Sequence, residues 1–260
     1  MKAIIAAAWW WTRMLPITKS IPKEMLPVGT KPVIHWIVEW LSKAWIKDIL
    51  MIVSNWKEAI QNYFDKNFEL EETLKSKNKY EQLKQLKEIE NLANIWFFKQ
   101  KEQLWFAHAI LSAKNCINED YFLLTVWDTI FEPKLFEEIL EIHKKTQKPV
   151  IALQEIPMKD VSKYWVVKIE DNKIVDFVEK PSVKEAPSNL IIVWVYILPK
   201  KIFKIIENLP LDKKTGEYLL PDALKELTLT DWIVPYITKT KVYDTWNLQS
   251  WLKANVELFG

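Results

Sequence analysis

The chain has 260 residues, with 36 lysines and arginines against 34 aspartates and glutamates. A net charge of +2 gives no general attraction to nucleic acid or to an anionic membrane surface. Because Cys116 is the only cysteine, a disulfide framework within the chain and a thiolate metal cluster are excluded. These features predict a cytoplasmic globular protein that binds neither nucleic acid nor membrane and has ample length for a core.

The first half of the chain alternates short apolar runs with amphipathic stretches. The apolar runs are nearly continuous, which is typical of strands in a parallel sheet covered on both faces. They predict strands at Lys2–Ala8, Asp48–Ser54, Ile95–Lys99, Tyr121–Val126 and Val150–Glu155. The stretches between them predict helices at Pro32–Ala44, Lys57–Phe64, Glu69–Glu90, Ala107–Ala113 and Pro133–Lys145, with Thr30 as the cap of the first. This alternation predicts an α/β fold.

The second half has a different pattern from about residue 155 onward. Two apolar runs around Asp171-Asn172 predict a hairpin formed by Val166–Ile169 and Ile174–Val178. The other predicted elements are extended segments at Leu190–Leu198 and Ile233–Tyr243 and helices at Lys200–Asn208, Tyr218–Leu227 and Leu248–Leu258. No linker rich in proline, glycine or serine divides the chain, so we expect a single domain over residues 1–260.

The use of glycine and tryptophan departs from the average. The chain has 3 glycines and 15 tryptophans, whereas about 18 glycines would be usual at this length. Trp9, Trp10 and Trp11 follow an apolar strand and Trp246 precedes a helix, so they occupy turn positions that glycine normally fills. We hypothesise that most of the tryptophans are glycine in the native protein, through a UGA codon that the source organism reads as glycine. The alternative is a genuinely tryptophan-rich protein that binds sugars or a membrane interface.

The strongest motif follows the first strand and reads Ala7-Ala8-Trp9-Trp10-Trp11-Thr12-Arg13. With glycine at Trp9 and Trp11, this segment becomes a glycine loop whose backbone N–H groups can hold phosphates. Arg13 and Lys23 would add fixed positive charge for a polyphosphate. The Gly-Lys-Ser/Thr ending of a P-loop is absent, and the dinucleotide-binding fingerprint is not matched either.

This loop resembles the signature of the sugar-1-phosphate nucleotidyltransferases, and the finer match is to bacterial UTP–glucose-1-phosphate uridylyltransferases. Further matching segments follow in order along nearly the whole chain: Ser20–Pro27, Lys31–Ile34, Tyr63–Asp65, Phe68–Glu71, Gln100 with His108-Ala109, Val178–Pro181, Ala186–Leu190 and Tyr243-Asp244. Glu179-Lys180-Pro181 favours the uridylyl branch over the thymidylyl one. Roughly ten tryptophans fall where this family has glycine: Trp9, Trp11, Trp45, Trp56, Trp105, Trp127, Trp165, Trp194, Trp246 and Trp251.

The resemblance implies a Rossmann-like three-layer α/β sandwich with a mostly parallel mixed sheet. It implies a nucleotide-binding part at about residues 1–150 and a sugar-binding part at about residues 151–260. It also implies UTP and glucose 1-phosphate as substrates, Mg²⁺ as cofactor and a homo-oligomeric assembly.

The resemblance also assigns roles to matching residues of this chain. The nucleotide-binding positions are Ala7, Ala8, Trp9, Trp11, Thr12, Gln100 and Trp105. Within that set, Gln100 should read uracil, and glycine at position 105 should let the backbone approach the base. Arg13 and Lys23 should act on the phosphates as catalytic residues.

The remaining assigned residues concern the metal and the sugar. Asp128 and Asp244 should bind Mg²⁺, which is commonly held by one or two carboxylates together with phosphates and water. Trp165, as glycine, and Glu179 should contact the glucose hydroxyls. Lys180 should neutralise the sugar phosphate and act as a catalytic residue.

The implied reaction is a direct in-line displacement that transfers uridylyl from UTP to glucose 1-phosphate and releases pyrophosphate. Because the sugar phosphate is already a nucleophile, positioning and charge neutralisation are the main requirements. Two alternatives remain open at this stage. One is a thymidylyltransferase or another sugar-1-phosphate nucleotidyltransferase. The other is a catalytically dead, tryptophan-bearing relative that acts as a binding module.

Overall fold

The computed structural model describes residues 1–8, 14–100, 105–212, 216 and 218–260. The strands β1 to β13 are, in chain order, Ala3–Ala7, Pro27–Val28, Lys31–Pro32, Asp48–Val53, Asn94–Lys99, Tyr121–Val126, Thr129–Phe131, Val150–Glu155, Trp165–Glu170, Lys173–Glu179, Leu190–Pro199, Val234–Thr238 and Val242–Asp244. The helices α1 to α9 are Val33–Lys43, Glu58–Phe64, Phe68–Ser76, Tyr80–Glu90, Trp105–Leu111, Lys134–Thr146, Ile202–Asn208, Leu220–Thr228 and Leu248–Phe259.

Within the described residues, nine strands form one mixed sheet. Seven of them follow the order β10-β9-β11-β6-β1-β4-β5, and β8 pairs with β11 and β12. The strands β6, β1, β4 and β5 are parallel, whereas β11 runs antiparallel to β6, β8 and β9. The predicted α/β class and mostly parallel mixed sheet are therefore confirmed.

Helices cover both faces of this sheet. Along β1, Ile4 and Ala6 belong to one buried cluster, which contains apolar residues of α5, α7 and α8. Ala3, Ile5 and Ala7 point to the other face and belong to a cluster with residues of α1 and α6. Since side chains alternate along a strand, this division produces the three layers that were predicted.

Most predicted elements are present, with two differences of detail. The predicted helix Glu69–Glu90 is divided by a turn into α3 and α4. The predicted cap Thr30 is wrong, because α1 begins after Pro32 and no side chain caps it. Thr30 lies instead in the tight turn between β2 and β3, which Gly29 forms with a φ of 63°. The predicted hairpin around Asp171-Asn172 is confirmed as β9 paired antiparallel with β10. Among the described residues, no helix is long and apolar enough to cross a membrane.

Among the described residues, three tryptophans adopt a backbone conformation that favours glycine. Trp45, Trp56 and Trp194 have φ values of 64°, 70° and 60°, in the left-handed region that bulky side chains rarely occupy. All three are among the positions where the resemblance places glycine.

Each of the three lies in a different local motif. Trp45 follows α1, where the N–H of Ile46 donates to the Leu41 carbonyl, as in the glycine-ended Schellman motif. Trp56 lies in the turn after β4. Trp194 lies where the pairing of β11 with β8 shifts register, and glycine is common at such bulges.

Trp45→Gly is expected to raise the free energy of unfolding by about 1 kcal/mol, because it relieves left-handed strain while removing a side chain that is 89% exposed. Urea denaturation measures the change. The matched control is Trp96→Gly, in the extended strand β5, which should lose about 1 kcal/mol instead. Equal losses at both positions would contradict the expectation.

Candidate active site

The candidate site lies where four parallel strands end at one edge of the sheet. In register, Ala7 of β1 faces Val53 of β4, and Val53 faces Lys99 of β5. Gln100 follows β5, and its backbone N–H donates to the Val53 carbonyl at 2.9 Å. Asp128 follows β6 on the other side of β1. The carboxyl edge of a parallel sheet is the usual ligand-binding side of such folds.

Several predicted site residues lie outside the described part of the chain. They are Trp9, Trp11, Thr12 and Arg13. Ala7 and Ala8, which lead into that segment, are buried. Trp105 begins helix α5, and the structure describes its backbone but not its side chain.

The fold brings Asp128 and Asp244 to neighbouring strands, although they are far apart in sequence. Asp244 ends β13 and pairs antiparallel with Thr129 of β7, the residue after Asp128. Both the backbone N–H and the hydroxyl of Thr245 donate to the Asp128 carbonyl, at 2.9 and 2.8 Å. The backbone N–H of Trp246 donates to Oδ1 of Asp244 at 2.5 Å. The loop after β13 is thereby fastened to the end of β6.

Lys23 reaches the same place from a 3₁₀ turn, Lys23–Met25. Its Nζ lies 3.8 Å from Oδ2 of Asp128 and donates to the Trp246 carbonyl at 3.4 Å. The ammonium also lies 4.7 Å above the ring of Trp127. Burial lowers the pKa of Lys23 to about 8, against the charge of Asp128, which favours the protonated form.

Burial has the opposite effect on Asp128. It raises the pKa of this carboxyl group to about 6, although the positive charge of Lys23 acts to lower it. A carboxylate that is costly to ionise when buried would be stabilised by a bound dication. Oxygen ligands of this kind suit Mg²⁺, so the chemistry of Asp128 and Asp244 fits the implied metal. In the described part of the chain, no group of three or more His, Cys, Asp or Glu residues gathers as a metal centre.

The predicted sugar-binding residues also meet in space. Trp165 begins β9 and Glu179 ends β10, and the two face each other in the antiparallel register. Lys180 follows with a φ of 42°, and its backbone N–H donates to the Tyr164 carbonyl at 2.9 Å. Its Nζ lies 3.3 Å from Oε1 of Glu179, and both side chains are exposed.

Sequence reasoning missed two buried charged residues beside this site. Glu24 is fully buried next to Lys23, and its carboxylate forms an ion pair with the ammonium of Lys57. Lys57 is also buried, and its Nζ donates to the Ala7 carbonyl at 2.6 Å. Lysine and glutamate are usually exposed, and nothing local to either sequence position indicates their burial.

Comparisons with known proteins identify relatives over almost the whole chain. The family model described as nucleotidyl transferase matches residues 2–258. A protein named putative UTP–glucose-1-phosphate uridylyltransferase from Methanocaldococcus jannaschii is 44% identical over 99% of this chain and 92% of its own length. The UTP–glucose-1-phosphate uridylyltransferase of Mycoplasma pneumoniae is 44% identical over 86% of this chain and 79% of its own.

Solved structures give the same result. The UTP-bound UGPase of Acinetobacter baumannii superposes with a TM-score of 0.92 at 32% identity, covering 99% of this chain and 92% of the other. A putative glucose-1-phosphate thymidylyltransferase from Bacillus anthracis has a TM-score of 0.79 at 23% identity, over 99% and 94% of the two chains, and thus shares the fold.

Fold, site and family model together define a nucleotidyl transferase. The identity to the curated relatives over almost the whole chain is more specific. The chain belongs to the UTP–glucose-1-phosphate uridylyltransferase family.

We expect Asp128→Ala and Asp244→Ala each to lower Mg²⁺-dependent pyrophosphate release from UTP by about 100-fold or more, because each would remove a ligand of the Mg²⁺ that neutralises the phosphates. The assay uses a chain in which glycine replaces Trp9, Trp11, Trp127, Trp165 and Trp246, which we call the glycine-restored chain. Asp120→Ala, an exposed aspartate just before the opposite end of β6, is the control and should keep parental turnover. Unchanged turnover in either site variant, with the fold intact by circular dichroism, would remove that residue from the metal site.

Proposed function

We propose that this chain transfers the uridylyl group of UTP to glucose 1-phosphate, giving UDP-glucose and pyrophosphate. The observation that carries the proposal is the meeting of Lys23, Asp128 and Asp244 at the carboxyl edge of the sheet. Arranged there, one cation and two carboxylates suit a metal-bound polyphosphate. Two relatives that are each 44% identical to this chain are named UTP–glucose-1-phosphate uridylyltransferases, and these names indicate the nucleotide and the sugar phosphate.

The proposed chemistry is a direct displacement. A phosphate oxygen of glucose 1-phosphate attacks the α-phosphorus of UTP in line, and pyrophosphate leaves without a covalent enzyme intermediate. Arg13 and Lys23 neutralise charge on the UTP phosphates, while Lys180 neutralises the sugar phosphate. Positioning and electrostatic stabilisation are the principal catalytic contributions in phosphoryl-transfer reactions of this kind.

Binding of the two substrates is divided between the two halves of the chain. Ala7, Ala8 and the loop with Trp9, Trp11 and Thr12 hold the nucleotide, and Gln100 reads uracil with position 105 beside it. The facing positions Trp165 and Glu179 contact the glucose. We propose one domain with its nucleotide-binding part at about residues 1–150 and its sugar-binding part at about residues 151–260.

Asp128 and Asp244 would hold Mg²⁺, which would supply positive charge to the phosphates of UTP. The acidic pair lies beside Lys23, so this lysine and the metal would act on the same polyphosphate. We further propose a cytoplasmic homo-oligomer.

We also propose that most of the disputed tryptophans are glycine in the native protein. The left-handed φ values of Trp45, Trp56 and Trp194 support this, because glycine adopts them without strain. Trp36 is different, since its indole N–H donates to the Val28 carbonyl at 3.0 Å and its ring packs on Phe259. These contacts use the indole ring itself, so they favour tryptophan at position 36 in the native protein. The φ argument does not extend to Trp251, which lies in helix α9 and donates its indole N–H to the Pro27 carbonyl.

Restoring glycine at Trp9, Trp11, Trp127, Trp165 and Trp246 is expected to raise turnover by about 100-fold or more over the printed chain, because bulky groups would displace the substrates. UDP-glucose formation measures the effect. Trp36→Gly and Trp96→Gly serve as matched controls and should not raise activity. Robust turnover of the printed chain would refute the proposal, as would tryptophan masses for the peptide Ala3–Arg13 of protein purified from its native source.

With glucose 1-phosphate as acceptor, we expect kcat/KM for UTP to exceed that for dTTP by about tenfold or more, because dTTP carries an added 5-methyl group and lacks the ribose 2′-hydroxyl that a UTP site can hydrogen-bond. Pyrophosphate release with each nucleotide measures the ratio. A preference for dTTP would exclude uridylyl transfer as the main activity. Gln100→Ala should lower kcat/KM for both nucleotides, because uracil and thymine present the same hydrogen-bonding edge, whereas Gln61→Ala, at an exposed position, should keep the parental values.

A further inference from the structure

The buried ion pair between Lys57 and Glu24 joins two segments that border the candidate active site. Lys57 precedes helix α2, and Glu24 lies in the turn that carries Lys23. The ammonium of Lys57 donates both to the Glu24 carboxylate and to the carbonyl of Ala7. Ala7 ends β1, immediately before the segment predicted to hold phosphates. One ammonium group therefore connects the end of the central strand with the turn of Lys23.

The contacts of Lys57 indicate a role in positioning rather than in contacting substrate. Lys57 lines a cavity of about 320 Å³ together with Lys19 and Lys23. Its ammonium, however, is buried and directed to Glu24 and Ala7. Oε2 of Glu24 is also buried and has no hydrogen-bond partner among the described residues. Lys57 thus serves as the counter-ion of Glu24, and removing it would leave a buried carboxylate unpaired, which is unfavourable.

The neighbouring charges explain what this pair does for Lys23. Lys23 is influenced by Asp128, Glu24, Asp244 and Lys57. If Lys57 lost its charge, Glu24 would be left beside Lys23 as an uncompensated carboxylate. Lys23, a buried cation that Glu24 already influences, would then be drawn away from Asp128.

We propose that Lys57 is a positioning residue of the nucleotide site: it holds the end of β1 against the Lys23–Met25 turn and leaves Lys23 to Asp128 and the phosphates. Testing this role by kcat/KM for UTP rests on the proposed uridylyl transfer. UTP binding provides a second readout that does not require turnover.

The test compares Lys57→Met, which keeps the length of the side chain and removes its charge, with Lys57→Arg, which keeps the charge. Both substitutions are made in the glycine-restored full chain, with glycine in place of Trp9, Trp11, Trp127, Trp165 and Trp246. Lys57→Met is expected to lower kcat/KM for UTP by about 10-fold to 100-fold, as small misplacements of catalytic groups do. The KM for glucose 1-phosphate should stay within about twofold, since the acceptor binds elsewhere. Lys57→Arg should recover most of the UTP efficiency.

Lys19→Met is the matched control, because Lys19 lines the same cavity but is exposed. It should retain parental kinetics. UTP values within twofold of the parent in Lys57→Met would overturn the proposal. Equal increases in both KM values, together with a lower melting temperature, would also overturn it, since they would show a purely structural role.

A double variant, Glu24→Gln with Lys57→Met, removes both buried charges and so covers the case in which Lys57→Met does not fold. Its kcat/KM for UTP should remain lowered, because the connection to Ala7 is still missing. A parental kcat/KM for UTP would overturn the proposal, because it would show that only the unpaired carboxylate mattered. UTP binding is measured by calorimetry alongside. A parent chain that binds UTP without making UDP-glucose would count against the proposed function, while the effect of Lys57→Met on binding would still decide this inference.

Discussion

The site depends on one packing constraint, the complete burial of strand β1 between two parallel neighbours. All five of its residues are buried, and they alternate between the cores on the two faces of the sheet. Helices cover both faces of β1, and β4 and β6 pair with its two edges. Only the ends of this strand can therefore contact a ligand. Ala7 and Ala8 therefore lie at the carboxyl ends of those strands, the edge at which Asp128 follows β6.

Charge balance is the second constraint at this edge. Lys23, Glu24, Lys57 and Asp128 are all buried, and each has an oppositely charged neighbour. Burial shifts the pKa of Lys23 and of Asp128 toward neutral pH from opposite sides. Such charges oppose folding more than apolar groups of the same volume would, so their presence is better explained by ligand binding than by stability.

The fold could be predicted further from the sequence than the site could. Apolar runs and amphipathic stretches are local signals, and they identified β4, β6 and α6 with bounds close to those observed. The association of Asp128 with Asp244 came only from the family resemblance, because 116 positions separate them and no local pattern connects them. Lys57 and Glu24 escaped prediction because the burial of a charged side chain is decided by tertiary packing.

The backbone also constrains which residues suit particular positions, independently of any resemblance. The hydrogen bond from the Ile46 N–H to the Leu41 carbonyl ends α1 and requires a left-handed conformation at position 45. Trp45 occupies that position, and its side chain is almost entirely exposed, so no packing gain offsets the strain. The same reasoning holds for Trp56, which is also largely exposed. Local geometry and family pattern thus point to glycine for different physical reasons, and their agreement is stronger than either alone.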